Sequence, residues 1–438
     1  MNPASIHRPA IERLESALAS ITAAGDEGAR IFTHVYADAA RTAAQASDRR
    51  AGAGKPVGPL DGRIVSIKDL FDVAGETTTA GSALLRGAAP AAHDALVVSR
   101  LRAAGAVIIG KTNMTEFAFS GVGINPHYGT PGNALDMARI PGGSSSGAGV
   151  SVAHGMAEIA IGSDTGGSVR IPSALNGLTG FKPTQARVPR DGAYPLSYSL
   201  DAIGPLCRSV ADAAATDGVL AGIANQALPP RDLRGLRVGV PRGLLFSQAQ
   251  DDVLAAVEQA LATVAIAGAT VTNQALDDLL GEPFRLQERG TLVAAEAAWV
   301  HREGVASRPE VYDPIVLGRI RRGQTLDAAS YVGIQQARAA LMRALDARMA
   351  SLDLLVLPTV PLLAPRLDEV QGEDEFLRIN ALLLRNPSVF NFLDLPALSL
   401  PLPRRGGLAV GLMLVGRRDA DRELLALGAA VEALLLQR

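Results

Sequence analysis

Runs of apolar residues, each about the length of one strand, alternate along the chain with segments of helical pattern. The early runs lie at 64–67 in GRIVSIKDLFDVAG, at 106–109 in DALVVSRLRAAGAVIIGKTN, and at 157–162 in GVSVAHGMAEIAIGSDTGG. Later ones are GLRVGVP, ATVT, DLLVLP, ALSLPLP and LAVGLMLVG. Strands separated by helices need crossover connections, and crossovers pack helices against both faces of a sheet. An α/β architecture is therefore expected, and a 48% apolar content can fill its core. No period of 20–50 residues points to repeats. No Gly- or Ser-rich linker divides the chain, so one domain over 1–438 is expected. Its Ala-rich N-terminal segment, to about residue 57, reads as helical. The section from about 225 to 350 is the least motif-like and reads as a helical cover on the sheet. It includes a long helical stretch at 328–351, and 422–435 reads as a closing helix.

The function classes narrow by charge and composition. A net charge of −2 lacks the basic excess that phosphate neutralisation needs, which argues against a nucleic-acid partner. A single cysteine, Cys207, rules out an internal disulfide and a cysteine metal cluster. The start, MNPASIHRPAIERLESALAS, reads as an amphipathic helix rather than a secretory signal. No apolar stretch reaches membrane-spanning length, so a cytoplasmic location is expected. There is no H-E-x-x-H, P-loop or strand-bound G-x-G-x-x-G, hence no expected metal or cofactor.

Lysine is scarce. Lys55, Lys68, Lys111 and Lys182 are the only four among 42 lysines and arginines. Arginine keeps its proton in a protein, whereas lysine can lose it when desolvated. A retained lysine is thus a candidate base. Lys55, in AGAGKPVG, is set aside as chance. Lys68 stands at the end of its strand, where α/β sheets carry functional side chains.

Two serines compete as nucleophile. Ser145 lies in GGSSSG and matches G-x-S-x-G, the nucleophile elbow of α/β-hydrolases. That reading needs an apolar strand immediately before it, and ALDMARIP is not one. It also needs a later histidine, and only His154 and His301 follow, neither in a motif. Ser168, in GSDTGGSVRIPS, is entered directly from an apolar strand. There Thr165, Gly166, Gly167 and Ser168 can turn consecutive N–H groups toward an oxyanion. None of His7, His34, His93, His127, His154 or His301 sits in a motif, so Lys68 is the expected proton acceptor. The serines at 144–146 stand as a relay between them.

These residues resemble the amidase signature family of hydrolases. Lys68 in SIKDLFDV, the PGGSSSG block and SDTGGSVRIPSALNGLTGFKPT carry the likeness. GAVIIGKTNMTEFAFSG, SLDAIGPLCRSVADAA, LPTVP and GLMLVG extend it from Asp61 to Gly416. The resemblance implies one α/β domain with a large, mostly parallel mixed sheet wrapped by helices. It also implies a Ser–cis-Ser–Lys triad: Ser168 as nucleophile, Ser144 as bridge after a cis peptide, Lys68 as base. Ser145 and Ser146 become helix-start residues that cap free N–H groups. Asp164 and Arg170 read as a structural ion pair. Lys111 and Lys182 read as holding backbone carbonyls or carboxylates, and Cys207 as a small buried residue.

The resemblance further places Ala118, Phe119 and Ser120 of TEFAFSG, Ile171 and Met413 at a substrate pocket. Ala118, Phe119, Ile171 and Met413 are apolar, so the expected substrate is a neutral amide with an apolar or aromatic acyl group, with esters and carbamates beside it. A carboxylate there would bury its charge unless an arginine reached in from the variable region. The alternative function is an amidotransferase A-type subunit that releases ammonia from glutamine for a partner. The expected partner is a small-molecule amide, and a homodimer is compatible with the sequence.

Overall fold

The computed structural model describes residues 8–223, 227–405 and 407–436. One eleven-stranded sheet runs through them. Its strands are β1 (Phe32–Val35), β2 (Ile64–Lys68), β3 (Val107–Thr112), β4 (Ile159–Asp164), β5 (Thr179–Lys182) and β6 (Ala202–Cys207). They continue with β7 (Arg237–Val240), β8 (Thr270–Asn273), β9 (Leu354–Pro358), β10 (Ala397–Arg405) and β11 (Leu408–Val415). The order across the sheet is β1-β3-β2-β4-β6-β5-β10-β11-β9-β7-β8.

The sheet is mixed, as expected, but less parallel than the resemblance implies. Parallel pairing occurs in two blocks, β3-β2-β4 and β8-β7-β9. All other neighbouring strands in the sheet pair antiparallel. The parallel blocks are the ones whose strands alternate with helices in sequence. β5 and β6 lie where the sequence shows no apolar run, because TGFK is short and AIGPLC is broken by Gly-Pro. Both are nevertheless fully buried, so ladder hydrogen bonds and burial override their weak local pattern.

The N-terminal segment is helical at Ala10–Ala23 and Ala37–Gly52, with β1 between them. Residues 1–7 of the expected amphipathic helix lie outside the described residues. The section at 225–350 is more than a helical cover. It adds β7 and β8 to the sheet edge, with helices Asp251–Ile266, Pro314–Gly323 and Ala328–Met349 around them. Glu373–Phe392 is a long helix that runs over the sheet, with Pro387 inside it. Alternate residues of β2, β3 and β4 join two cores: Val65, Ile108 and Ile161 a large one, and Ile64, Val107 and Ala160 a second one under the N-terminal helices. Val122, Ile140, Ile171 and Leu383 centre a smaller one under helix Glu373–Phe392. Among the described residues no helix is long and apolar enough to cross a membrane.

Candidate active site

β2 and β4 are parallel neighbours, paired at Val65–Ile159, Ser66–Ala160 and Ile67–Ile161. Their C-terminal ends therefore deliver Lys68, Ser163 and Asp164 to one edge of the sheet. Lys68 is fully buried. Its Nζ donates to Ser144 Oγ at 2.7 Å and to Ser163 Oγ at 2.9 Å. Burial pushes its pKa down to about 7, against the opposing pull of Asp201 and Asp164. A lysine so placed exchanges a proton near neutral pH, which an exposed ammonium does not. Lys55, by contrast, is exposed.

Ser144 follows a cis peptide from Gly143 and stands just before helix Ser146–Ala153. Gly143 is required by space: a Cβ there would meet the Gly123 backbone at 2.7 Å. Ser145 is the N-cap by position, but its side chain caps nothing and reaches the Ser163 carbonyl at 3.4 Å. Ser146 Oγ is buried without a partner. The expected side-chain capping by these two serines is thus absent.

The loop after β4 is organised by Asp164. Its carboxylate accepts the N–H groups of Gly167 at 2.8 Å and Val169 at 3.2 Å, which starts helix Arg170–Leu175. It also holds the Arg170 guanidinium through two bonds, Nε at 3.0 Å and Nη2 at 2.9 Å. Arg170 Nη2 donates onward to Asn391 Oδ1 and the Pro387 carbonyl, and Asn391 Nδ2 donates back to Asp164. Burial opposes the Asp164 charge, but Arg170 and Asn391 outweigh it and hold the carboxyl well below its usual range. The pair is structural, as expected. Gly167 has φ +126°, and a Cβ on it would strike Pro387 Cγ at 2.5 Å. Of the four expected oxyanion donors, Gly167 has its N–H committed to Asp164. Among the described residues the N–H groups of Thr165, Gly166 and Ser168 have no acceptor.

Ser168 opens on a cavity of about 300 Å³, lined also by Ala118, Phe119, Ser120, Thr165 and Gly166. Leu384, Ser388 and Phe392 of helix Glu373–Phe392 close one side. Ala118, Phe119 and Ser120, which the resemblance assigns to a substrate pocket, thus line the same cavity as Ser168. Ile171 and Met413 do not line the cavity. The Ile171 side chain lies behind the Gly167 backbone, and Met413 lies in β11 with its sulfur accepting from Arg170 Nη1 at 3.3 Å. Both are core residues. An arginine does reach the cavity. Arg319 of helix Pro314–Gly323 lines the cavity with its Cζ 4.5 Å from the Phe119 ring centroid. Its Nη1 is buried without a partner. Burial and then nearby Arg322 lower its pKa to about 10, so it is still a cation at neutral pH. Asp313 caps the helix through Ile315 N–H, and its own N–H donates to buried Glu116, three residues before Phe119. That contact locks the arginine wall to the phenylalanine wall.

Among the described residues no histidine lines this cavity. His301 packs on Phe117 and Tyr312, and burial lowers its pKa to about 4. Lys111 pairs with Asp69 and bonds Thr77 and Thr78, while Lys182 bonds the Pro183 carbonyl, both in structural roles as expected. Cys207 is buried.

A family model described as Amidase matches residues 12–425. The chain belongs to the amidase family. This amidase-family hydrolase is 37% identical over 410 residues to 2-amino-5-chloromuconic acid deaminase of Comamonas testosteroni, covering 91% of this chain and 87% of that protein. It is also 37% identical over 461 residues to the A-type subunit of glutamyl-tRNA(Gln) amidotransferase from Anaeromyxobacter dehalogenans, covering 96% and 92%. A crystal structure of an amidase superposes with a TM-score of 0.89 at 35% identity, over 99% of this chain and 98% of that one.

Four residues at this candidate site carry no signal in the sequence. Asp201, which accepts from Thr165 Oγ1 at 2.6 Å, sits inside SLDAIGPLCRSVADAA, where nothing marks it as polar machinery. Ser163 precedes the marked loop. Asn391 and Arg319 lie in helices with no motif, and only tertiary packing brings them here.

Proposed function

We propose that the protein hydrolyses an amide bearing a carboxylate, through an acyl-enzyme on Ser168. The observation that carries the reading is the buried Lys68–Ser144 hydrogen bond beside a cavity that Ser168 lines. Neutral Lys68 takes a proton from Ser144 as Ser144 takes one from Ser168, whose Oγ attacks the amide carbonyl. The N–H groups of Thr165, Gly166 and Ser168 stabilise the oxyanion, each worth about 3 kcal/mol where aligned. Ser144 returns a proton to the leaving amine, and water then releases the acid and regenerates Ser168.

The substrate carboxylate belongs with Arg319. An unpartnered buried guanidinium N–H is costly, and an anion seated there removes the cost. Of the residues behind the apolar-acyl, neutral-amide expectation, Ala118 and Phe119 line the cavity, while Ile171 and Met413 lie outside it. A muconic acid in the name of a relative agrees with an acidic substrate. The likeness to the A-type component of an amidotransferase supports a second reading, ammonia release from an amide for a partner.

The test has two arms. A fluorophosphonate should label Ser168 in the native protein and fail on Ser168→Ala. Labelling of Ser145 would overturn the nucleophile. Arg319→Gln should lower kcat/KM for a carboxylated amide by about 10- to 100-fold while sparing its neutral isostere, the range for a buried charge-assisted bond. Equal losses on both substrates would overturn the anchor.

A further inference from the structure

The cavity beside Ser168 does not end at Arg319. Phe119, Phe284, Gln287 and Arg319 are shared with an outer cavity of about 560 Å³. The outer cavity adds Arg289, Arg322, Arg385 and one acid, Glu288. Arg385 is committed: it donates to the carbonyls of Ser247 and Leu245 and to Asn386. Glu288 lies in the field of Arg285 on the adjoining helix. Among the described residues, neither Arg289 nor Arg322 makes an ion pair or side-chain hydrogen bond.

Arg319 and Arg322 stand three residues apart on helix Pro314–Gly323. That spacing sets them on one helix face, with Cβ atoms about 5–6 Å apart. A position in the last turn suits a cation through the helix dipole, and this accounts for Arg321 as well as Arg322. It does not account for two neighbouring guanidiniums that line one cavity, neither of them paired to a carboxylate among the described residues. Arg289 and Arg322 are solvent-exposed, so water screens part of the repulsion, and an anion on the wall relieves what Arg322 still exerts on Arg319.

We propose that Arg322, together with Arg289, forms an outer anion subsite that takes a second carboxylate of the substrate, so that the preferred amide carries two carboxylates. This rests on the reading of Arg319 as the inner anchor. The inner carboxylate sits against Arg319 and Phe119. The outer one, a few bonds away, stays partly hydrated between Arg322 and Arg289.

The experiment uses the full chain and a matched series of amides with none, one or two carboxylates. Arg322→Gln should lower kcat/KM for the two-carboxylate amide three- to tenfold, through KM, with the one-carboxylate and neutral amides within twofold. Rising salt should shrink the native preference for the two-carboxylate amide. An equal loss across the series, or no loss on the two-carboxylate amide, overturns the outer subsite. Calorimetric titration of Ser168→Ala with succinate separates the two sites. Weaker binding in Arg322→Gln supports the outer subsite even where Arg319→Gln shows no carboxylate preference, and that second result alone defeats the inner anchor. Succinate binding that is unchanged in Arg322→Gln, or matched by inorganic phosphate, counts against a carboxylate subsite.

Discussion

Lys68 should titrate near neutral pH in the folded protein, and replacing it should change how stability depends on pH. Its side chain is fully buried, and its pKa falls from 10.5 to about 7 chiefly through desolvation. The sign follows by linkage. The unfolded lysine holds its proton up to about 10.5, while the folded one releases it near 7. Between those values the unfolded state binds more protons, so stability rises with pH by up to about 1.4 kcal/mol per unit. At pH 7 the full penalty is on the order of 5 kcal/mol. Lys68→Met removes it and forgoes the bonds to Ser144 and Ser163, which return about 1–3 kcal/mol. Urea unfolding followed by circular dichroism, at pH 7, 8 and 9, should show the variant gaining most at pH 7 and losing that advantage as pH rises. Activity gives the companion signal. Only about a tenth of Lys68 is neutral one unit below its pKa, so kcat/KM should fall about tenfold per unit below pH 7 and level off above it. Parallel stability curves for native and Lys68→Met, with a flat acid limb in kcat/KM, would refute a neutral lysine and leave it a permanent cation.

Two further perturbations test the loop that carries Ser168. Asp164→Asn leaves the Arg170 guanidinium buried without its countercharge. It should cost about 3–5 kcal/mol in denaturant unfolding and abolish turnover; a loss under about 1 kcal/mol would show that Asn391 suffices. Gly167→Ala should lose most activity and about 2–4 kcal/mol, since a Cβ meets both a positive φ and Pro387. Near-native kinetics for that variant would mean the loop tolerates a different path beside Ser168.

What the sequence determined by itself was whatever short-range pattern encodes. β2, β3 and β4 are apolar runs bounded by helices, and each run specifies a buried strand without knowing its neighbours. Lys68 at the end of one strand and Ser168 after another were legible because both sit at fixed offsets from those runs. The scarcity of lysine marked the first, and the paired glycines marked the second. Tertiary structure decided what faces what. Ile171 lies three residues beyond Ser168, yet the first turn of its helix sends it behind Gly167 into the core. Met413 belongs to a strand whose register turns its sulfur to Arg170. Arg319 lies 151 residues from Ser168, in a segment without a motif, and reaches the cavity because Asp313 is bonded to Glu116 beside Phe119. Local spacing constrains direction over only a turn of helix or a step of strand. Contacts between distant segments depend on the summed packing of the whole core, so Arg319 and the helix residues that close the cavity emerge only when the chain is folded.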